Sequence, residues 1–198
     1  MPWILVVEDA AGEAVLRRLL SDLAPTWAIE FVDNCRGVDR MRSRFVRYRN
    51  ASHVVPHLLL ADLDRHECPM ALLRAWKACS EPPRLLLRVA VREVESWLMG
   101  DRAGVAAWLQ IVEKRVPAAP EAEVDPKARL LNLARGSRSR RLAGEFCPAP
   151  GSRASQGPLY NDHVSRFVRS QWNLDAARRA VPSLERACRR IVEVAGKA

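Results

Sequence analysis

Three short stretches of this chain each carry a pair of acids just after an apolar run. They are Glu8 and Asp9 in "ILVVEDA", Asp62 and Asp64 in "LLLADLD", and Glu93 and Glu95 in "VAVREVE". Carboxylates brought close together raise one another's pKa unless a cation sits among them. Magnesium is the natural cation for such a group: it takes hard oxygen ligands and keeps waters that phosphate can replace. Manganese accepts the same donors. The competing reading is that some of these acids are solvated loop residues or helix caps. Asp64 would then serve the helix starting at Pro69, and Glu93 or Glu95 would be a capping partner.

The acids can act together only if the elements before them end at one place. Trp3–Val7 is a continuous apolar run rich in branched residues, as expected of a strand buried on both faces, and His57–Ala61 and Arg84–Val91 read as further strands. Ala28–Val32 is a further strand candidate. Between the strands, Gly12–Leu23 spaces Val15, Leu16, Leu19, Leu20 and Leu23 as a helix. Val38–Tyr48 reads as a basic amphipathic helix, and Pro69 opens another within "PMALLRAWKAC". Strands alternating with helices predict a parallel sheet covered on both faces. In such a sheet, ligands bind outside the carboxyl ends of the strands, so all three acidic segments are expected at one edge.

After Val91 the character changes. "REVESWLMGDRAGVAAWLQIVEKRV" reads as helical, "PAAPEAEVDP" as a loop, and a helix starts at Pro126. Closing helices are expected near Leu159–Gln171 and Pro182–Val194. The division this suggests is an α/β core over residues 1–100 and a basic helical lobe over 101–198, packed on the core. Trp97 in "VESWL" is expected in the core rather than against a ligand.

The chain has 198 residues, a formal net charge of +9 and a sequence pI of about 10.0. That balance suits a polyanionic partner, nucleic acid above all. Lys127, Arg129, Arg135, Arg138, Arg140 and Arg141 form a run with no acid between them, suited to phosphate contacts or else a solvated face. The arginines of Val38–Tyr48 make a second basic stretch. Cys35, Cys68, Cys79, Cys147 and Cys188 lack metal-site spacing and are odd in number, so reduced thiols in a cytoplasmic protein are expected. The four histidines have no ligand spacing, which argues against zinc.

Two kinds of protein begin like this one. "ILVVED" followed by a leucine-rich helix resembles a response-regulator receiver, in which Asp62 would be the phosphoacceptor. That likeness lapses downstream, where the Ser or Thr ending the fourth strand and the Lys ending the fifth have no counterparts. The chain also resembles Toprim domains, which set a glutamate and an Asp-x-Asp at the ends of neighbouring strands. Here these are Glu8 and Asp62-Leu63-Asp64. Asp9 stands where Toprim domains usually have glycine.

The blocks "RVAVREVESWLMGDRAGVAAWL", "DPKARLLNLARGSRSRRL" and "GPLYNDHVSRFVRSQWNLDAARRAVPSLERACRR" resemble those of a bacterial Toprim-like family of unknown function, domain-of-unknown-function family 4276. The resemblance covers nearly the whole chain. It implies a Toprim-like α/β fold and magnesium-dependent phosphodiester chemistry on nucleic acid, as in Toprim nucleases including those of phage defence. Glu8, Asp62 and Asp64 would be the catalytic, metal-holding acids, with Glu93 or Glu95 completing the metal site. Glu8 is alternatively a general acid or base. A different class of function stays open here: a catalytically inactive interaction subunit of a partner ATPase.

Overall fold

The structure is a computed structural model and describes residues 2–80 and 82–196. It divides into two compact units. One comprises residues 1–91 and 186–198, the other residues 92–185. This differs from a division at residue 100: the second unit begins directly after the last strand, and the end of the chain returns to the first.

The first unit runs β1 (Pro2–Val7), α1 (Ala10–Leu23), β2 (Ala28–Asn34), α2 (Val38–Ala51), β3 (His57–Asp62), α3 (Pro69–Ala75) and β4 (Leu85–Ala90). The strands form a parallel sheet of order β2-β1-β3-β4. The chain is therefore an α/β protein with a helix-flanked parallel sheet, as the alternation of elements predicts.

Register assigns the faces. Val7 pairs with Leu60, and both approach Gly12 of α1. Val6, Leu59, Ala61, Leu85 and Leu87 point to the other face, against Met41, Phe45 and Tyr48 of α2 and Leu72 and Trp76 at α3. Burial from both sides explains why "WILVV" of β1 and "LLLA" of β3 read as unbroken apolar runs, while β4 is interrupted by the half-buried Arg88. β2, at the margin, has no fully buried residue. Each fully buried aliphatic side chain of this core contributes about 1.5–3 kcal/mol of transfer free energy.

The second unit is helical: α4 (Val94–Met99), α5 (Arg102–Leu109), α6 (Pro126–Arg135), α7 (Arg140–Phe146), α8 (Tyr160–Ser170), α9 (Leu174–Ala180) and the first turn of α10 (Pro182–Ala195). Its core includes Trp97, Trp172, Tyr160, Phe146 and Phe167, all essentially inaccessible. Trp108 stacks on Phe167 with ring centroids 4.3 Å apart. Trp97 is a core residue, as expected, and its indole N–H donates to Ser183 Oγ at 2.7 Å.

Several helix starts are set by short polar caps. Asp9, Asp101, Asp125, Ser139 and Asn173 each accept from the backbone N–H three residues on. The helical stretch after Val91 is broken at Gly100–Asp101. A Cβ on Gly100 would lie 2.6 Å from Val181 Cγ2 and 2.8 Å from the Ala177 carbonyl, so only glycine permits this approach. Asp101 then caps α5. Helix α9 was not legible beforehand. Among the described residues no helix is long and apolar enough to cross a membrane. All five cysteines are free thiols.

Candidate functional site

Three of the predicted acids gather where β1 and β3 end. These strands are neighbours in the sheet, so Glu8, one residue past β1, and Asp62, the last residue of β3, share the carboxyl edge. They are joined directly: the Asp62 backbone N–H donates to Glu8 Oε1 at 2.8 Å. The β3–β4 ladder continues into the acidic loop, with the Leu63 N–H donating to the Ala90 carbonyl at 2.9 Å.

Asp64 follows in a tight turn closed by a 3.0 Å bond from His66 N–H to the Leu63 carbonyl. Its φ is +49. The left-handed region is costly for most side chains but is visited by aspartate more than by others. Such conformations concentrate at functional sites.

The electrostatics match a crowded anionic edge. Burial pushes the Glu8 carboxyl up to about 7; the Asp62 N–H opposes this, and the charges of Asp64, Asp9 and Asp39 add to it. The Asp64 carboxyl is also raised, first by desolvation and then by Asp39, while His66 and Arg65 pull it down. Asp39 thus belongs to the same field. It lies in the first turn of α2 and was missed in the sequence, where a lone acid among arginines looks like an N-terminal helix residue. The only signal available was its position after a strand. Its placement depends on β2 being the neighbour of β1. The connection is tied down by Gly37, at φ +124, whose N–H donates to the Glu8 carbonyl at 3.0 Å.

Asp9 takes a structural role. Its carboxylate accepts from Gly12 N–H at 2.9 Å and caps α1. Gly12 lies inside that helix with ordinary contacts around it, so it supplies no special turn for the residue pair Glu8-Asp9.

Glu93 and Glu95 lie in the second unit, engaged with partners of that unit. Glu93 Oε2 accepts from the Lys127 N–H at 2.8 Å. This satisfies one of the orphan donors at the start of α6 and places a negative charge at its positive end. Glu95 is 2% exposed and accepts from the Tyr160 hydroxyl at 2.5 Å. Glu93 is thus a capping partner of α6.

The basic run is mixed in its commitments. Arg129 Nη2 donates to the Arg115 carbonyl at 2.8 Å, Arg135 bonds Asn132, and Arg141 pairs with Glu145 at 2.8 Å. Lys127 Nζ stands 4.9 Å from the centre of the Tyr160 ring. Arg138 and Arg140 are exposed.

The donors at the carboxyl edge are all hard carboxylate oxygens, the class magnesium prefers, and magnesium needs only one or two protein carboxylates beside its waters. Among the described residues no three His, Cys, Asp or Glu side chains are already drawn into a single metal-holding group. An ion at this edge would therefore be partly hydrated and not enclosed by protein ligands.

No family model matches the chain. No curated protein matches it in sequence. Among solved structures, it is similar to the C-terminal region of the Burkholderia pseudomallei OLD protein, with 14% identity, 98% of each chain covered and a TM-score of 0.48. The α/β class assigned here rests on the strand order and pairing themselves.

Proposed function

We propose that the protein is a metal-dependent phosphodiester-processing protein of Toprim-like design that acts on nucleic acid. The observation that carries this is the junction of Glu8 with Asp62 across neighbouring strand ends, with Asp64 and Asp39 charging the same edge. The metal would be magnesium, with manganese an adequate substitute, and Glu8, Asp62 and Asp64 would supply its protein ligands beside bound waters. When bound it offsets charge on the transferring phosphate and its leaving oxygen.

The chain's own residues supply the rest. The Asp62 N–H holds the Glu8 carboxylate in place. The high proton affinity of Glu8 suits it to hold or pass a proton near neutral pH before the ion enters. Glu93 and Glu95 are assigned to the integrity of the helical unit in this reading, because both already have partners there.

A receiver-like phosphoacceptor is less well supported: the sheet has four strands among the described residues, and none provides the lysine that would pair with a phosphoaspartate. The test is cleavage of single- and double-stranded nucleic acid by the purified chain in Mg²⁺ or Mn²⁺, with chelator as control. Glu8→Ala and Asp62→Ala should each abolish cutting and preserve the circular dichroism spectrum. Cutting that survives both substitutions refutes the site. An intact protein with no cutting under any of these conditions favours the interaction subunit of a partner ATPase.

A further inference from the structure

The margin of the sheet beside this edge carries a surface that the catalytic acids do not use. Residues Val38–Ala51 of α2 include five arginines against one aspartate. Arg40, Arg44 and Arg47 fall at i, i+4 and i+7, one stripe flanking the buried Met41, Phe45 and Tyr48. The middle member fixes where the stripe lies: Arg44 Nη1 donates to both carboxylate oxygens of Asp33 on β2, at 3.2 and 3.1 Å. The Tyr48 hydroxyl holds the same carboxylate at 2.7 Å. Arg40 and Arg47 are exposed on either side, and so is Arg36 in the turn at the start of α2. Among the described residues, none of these three makes an ion pair.

The second observation is Phe31, 59% exposed on β2. Phe31 pairs in register with Ile4, and Asp33 with Val6. Ile4 and Val6 both pack into the layer that contains α2, so Phe31 and Asp33 share the α2 face. Moving away from the acidic edge, Phe31 lies two residues from Asp33, about 6.6 Å along the strand. Arg47 lies about 4.5 Å beyond Arg44 along the helix, in the same direction. An exposed aromatic ring and a guanidinium with no ion pair therefore stand at nearly one level. At the other end, Arg36 and Arg40 flank Asp39 and the Gly37 contact to Glu8.

We propose that this β2–α2 margin holds a single-stranded nucleic acid, with phosphates on Arg36, Arg40 and Arg47 and a base stacked on Phe31, and leads it to the acidic edge. The chemistry is that of a sequence-tolerant strand groove, in which a basic track holds the backbone and an aromatic platform takes a base face. It also answers a problem of the acidic edge: a phosphodiester approaching Glu8, Asp39, Asp62 and Asp64 meets four acids, and the arginines bordering them draw it in. The inference rests on the proposed function and narrows its substrate to a single strand.

The test is fluorescence anisotropy of the full chain, in chelator to prevent cutting, with labelled DNA and RNA strands of about 15 nucleotides, near the upper site size of small strand-binding folds, and with the matching DNA duplex. Phe31→Ala should weaken strand binding about tenfold or more, leave duplex binding unchanged, and leave the salt slope in place. Arg40→Gln/Arg47→Gln should lower the slope of log affinity against log salt by about 1.4, which is about 0.7 per lost contact. Arg138→Gln/Arg140→Gln should change neither. All these residues are exposed, so a matching thermal transition shows that folding is retained. Unchanged strand affinity in Phe31→Ala overturns the proposal, as does a slope that falls only in the Arg138/Arg140 variant. So does sedimentation showing that Phe31→Ala merely dissociates a dimer. Glu8-dependent cutting with strand binding untouched by these substitutions overturns this inference alone. Strand binding through Phe31 and the arginines without metal-dependent cutting overturns the proposed function alone.

Discussion

Glu8→Gln should stabilise the metal-free protein, and the gain should grow with pH. Glu8 is held at about 7 in the folded chain, against 4.5 for an ordinary glutamate. A carboxyl with a raised folded pKa binds its proton more tightly folded than unfolded. Its contribution is present below about 4.5 and is lost as pH rises to about 7. The shift corresponds to about 3 kcal/mol at 1.36 kcal/mol per pH unit. Between pH 5 and pH 8 the wild type should lose about 2.5 kcal/mol on this account. Glutamine keeps an oxygen for the Asp62 N–H but never ionises, so it escapes that loss. The assay is urea unfolding followed by circular dichroism at pH 5, 6, 7 and 8 in chelator, for both proteins. Comparing the two proteins at each pH cancels titrating groups away from the edge, the lowered His57 among them. Adding Mg²⁺ at pH 8 should stabilise the wild type and close the gap, because a ligand that binds only the folded state adds its binding free energy. A difference that stays flat from pH 5 to pH 8, or a Gln variant that is the weaker protein at pH 8, refutes the account of the edge as a crowded, desolvated anionic site.

Two further substitutions probe the second unit. Glu93→Ala removes the acceptor at the start of α6; it should cost about 1 kcal/mol in thermal or urea unfolding and leave metal binding, read by calorimetry, unaltered. Tyr160→Phe takes a hydroxyl donor from the buried Glu95 and should cost about 1–3 kcal/mol, again without effect on metal affinity. Loss of metal binding in either variant would return Glu93 or Glu95 to the metal site.

What could be read from the sequence follows the physics of burial. "WILVV", "HLLLA" and "RLLLRVAV" announce strands because both of their faces are covered, and the loops behind them inherit a position at the carboxyl edge. Glu8 and Asp62 were legible for that reason. β2 is a marginal strand with polar residues on open faces, so "AIEFVDN" gave a weak signal and its end was placed two residues early. The same weakness hid Asp39, whose nearness to Glu8 is a matter of strand order and not of spacing. Glu93 and Glu95 also follow a strand, and the bonds they accept from the start of α6 and from Tyr160 join residues 34 and 65 positions apart, which no local spacing announces. For the basic run, charge is visible in the sequence and so is the i,i+4 spacing of Arg141 and Glu145, whereas the bond from Arg129 to the Arg115 carbonyl depends on how the helical unit folds.

The return of the chain's end to the first unit bears on how the protein is made. Residues 92–185 form the second unit, and the remainder of α10, with Ala187, Cys188 and Ile191 buried, belongs with the unit that carries the acids. During synthesis the ribosome therefore releases every residue of the helical unit before the α/β unit has received its final helix. The unit begun first is completed last. Until then it lacks the buried side chains of Ala187, Cys188 and Ile191, and a nascent chain arrested after β4 holds Glu8, Asp39, Asp62 and Asp64 in an unfinished fold.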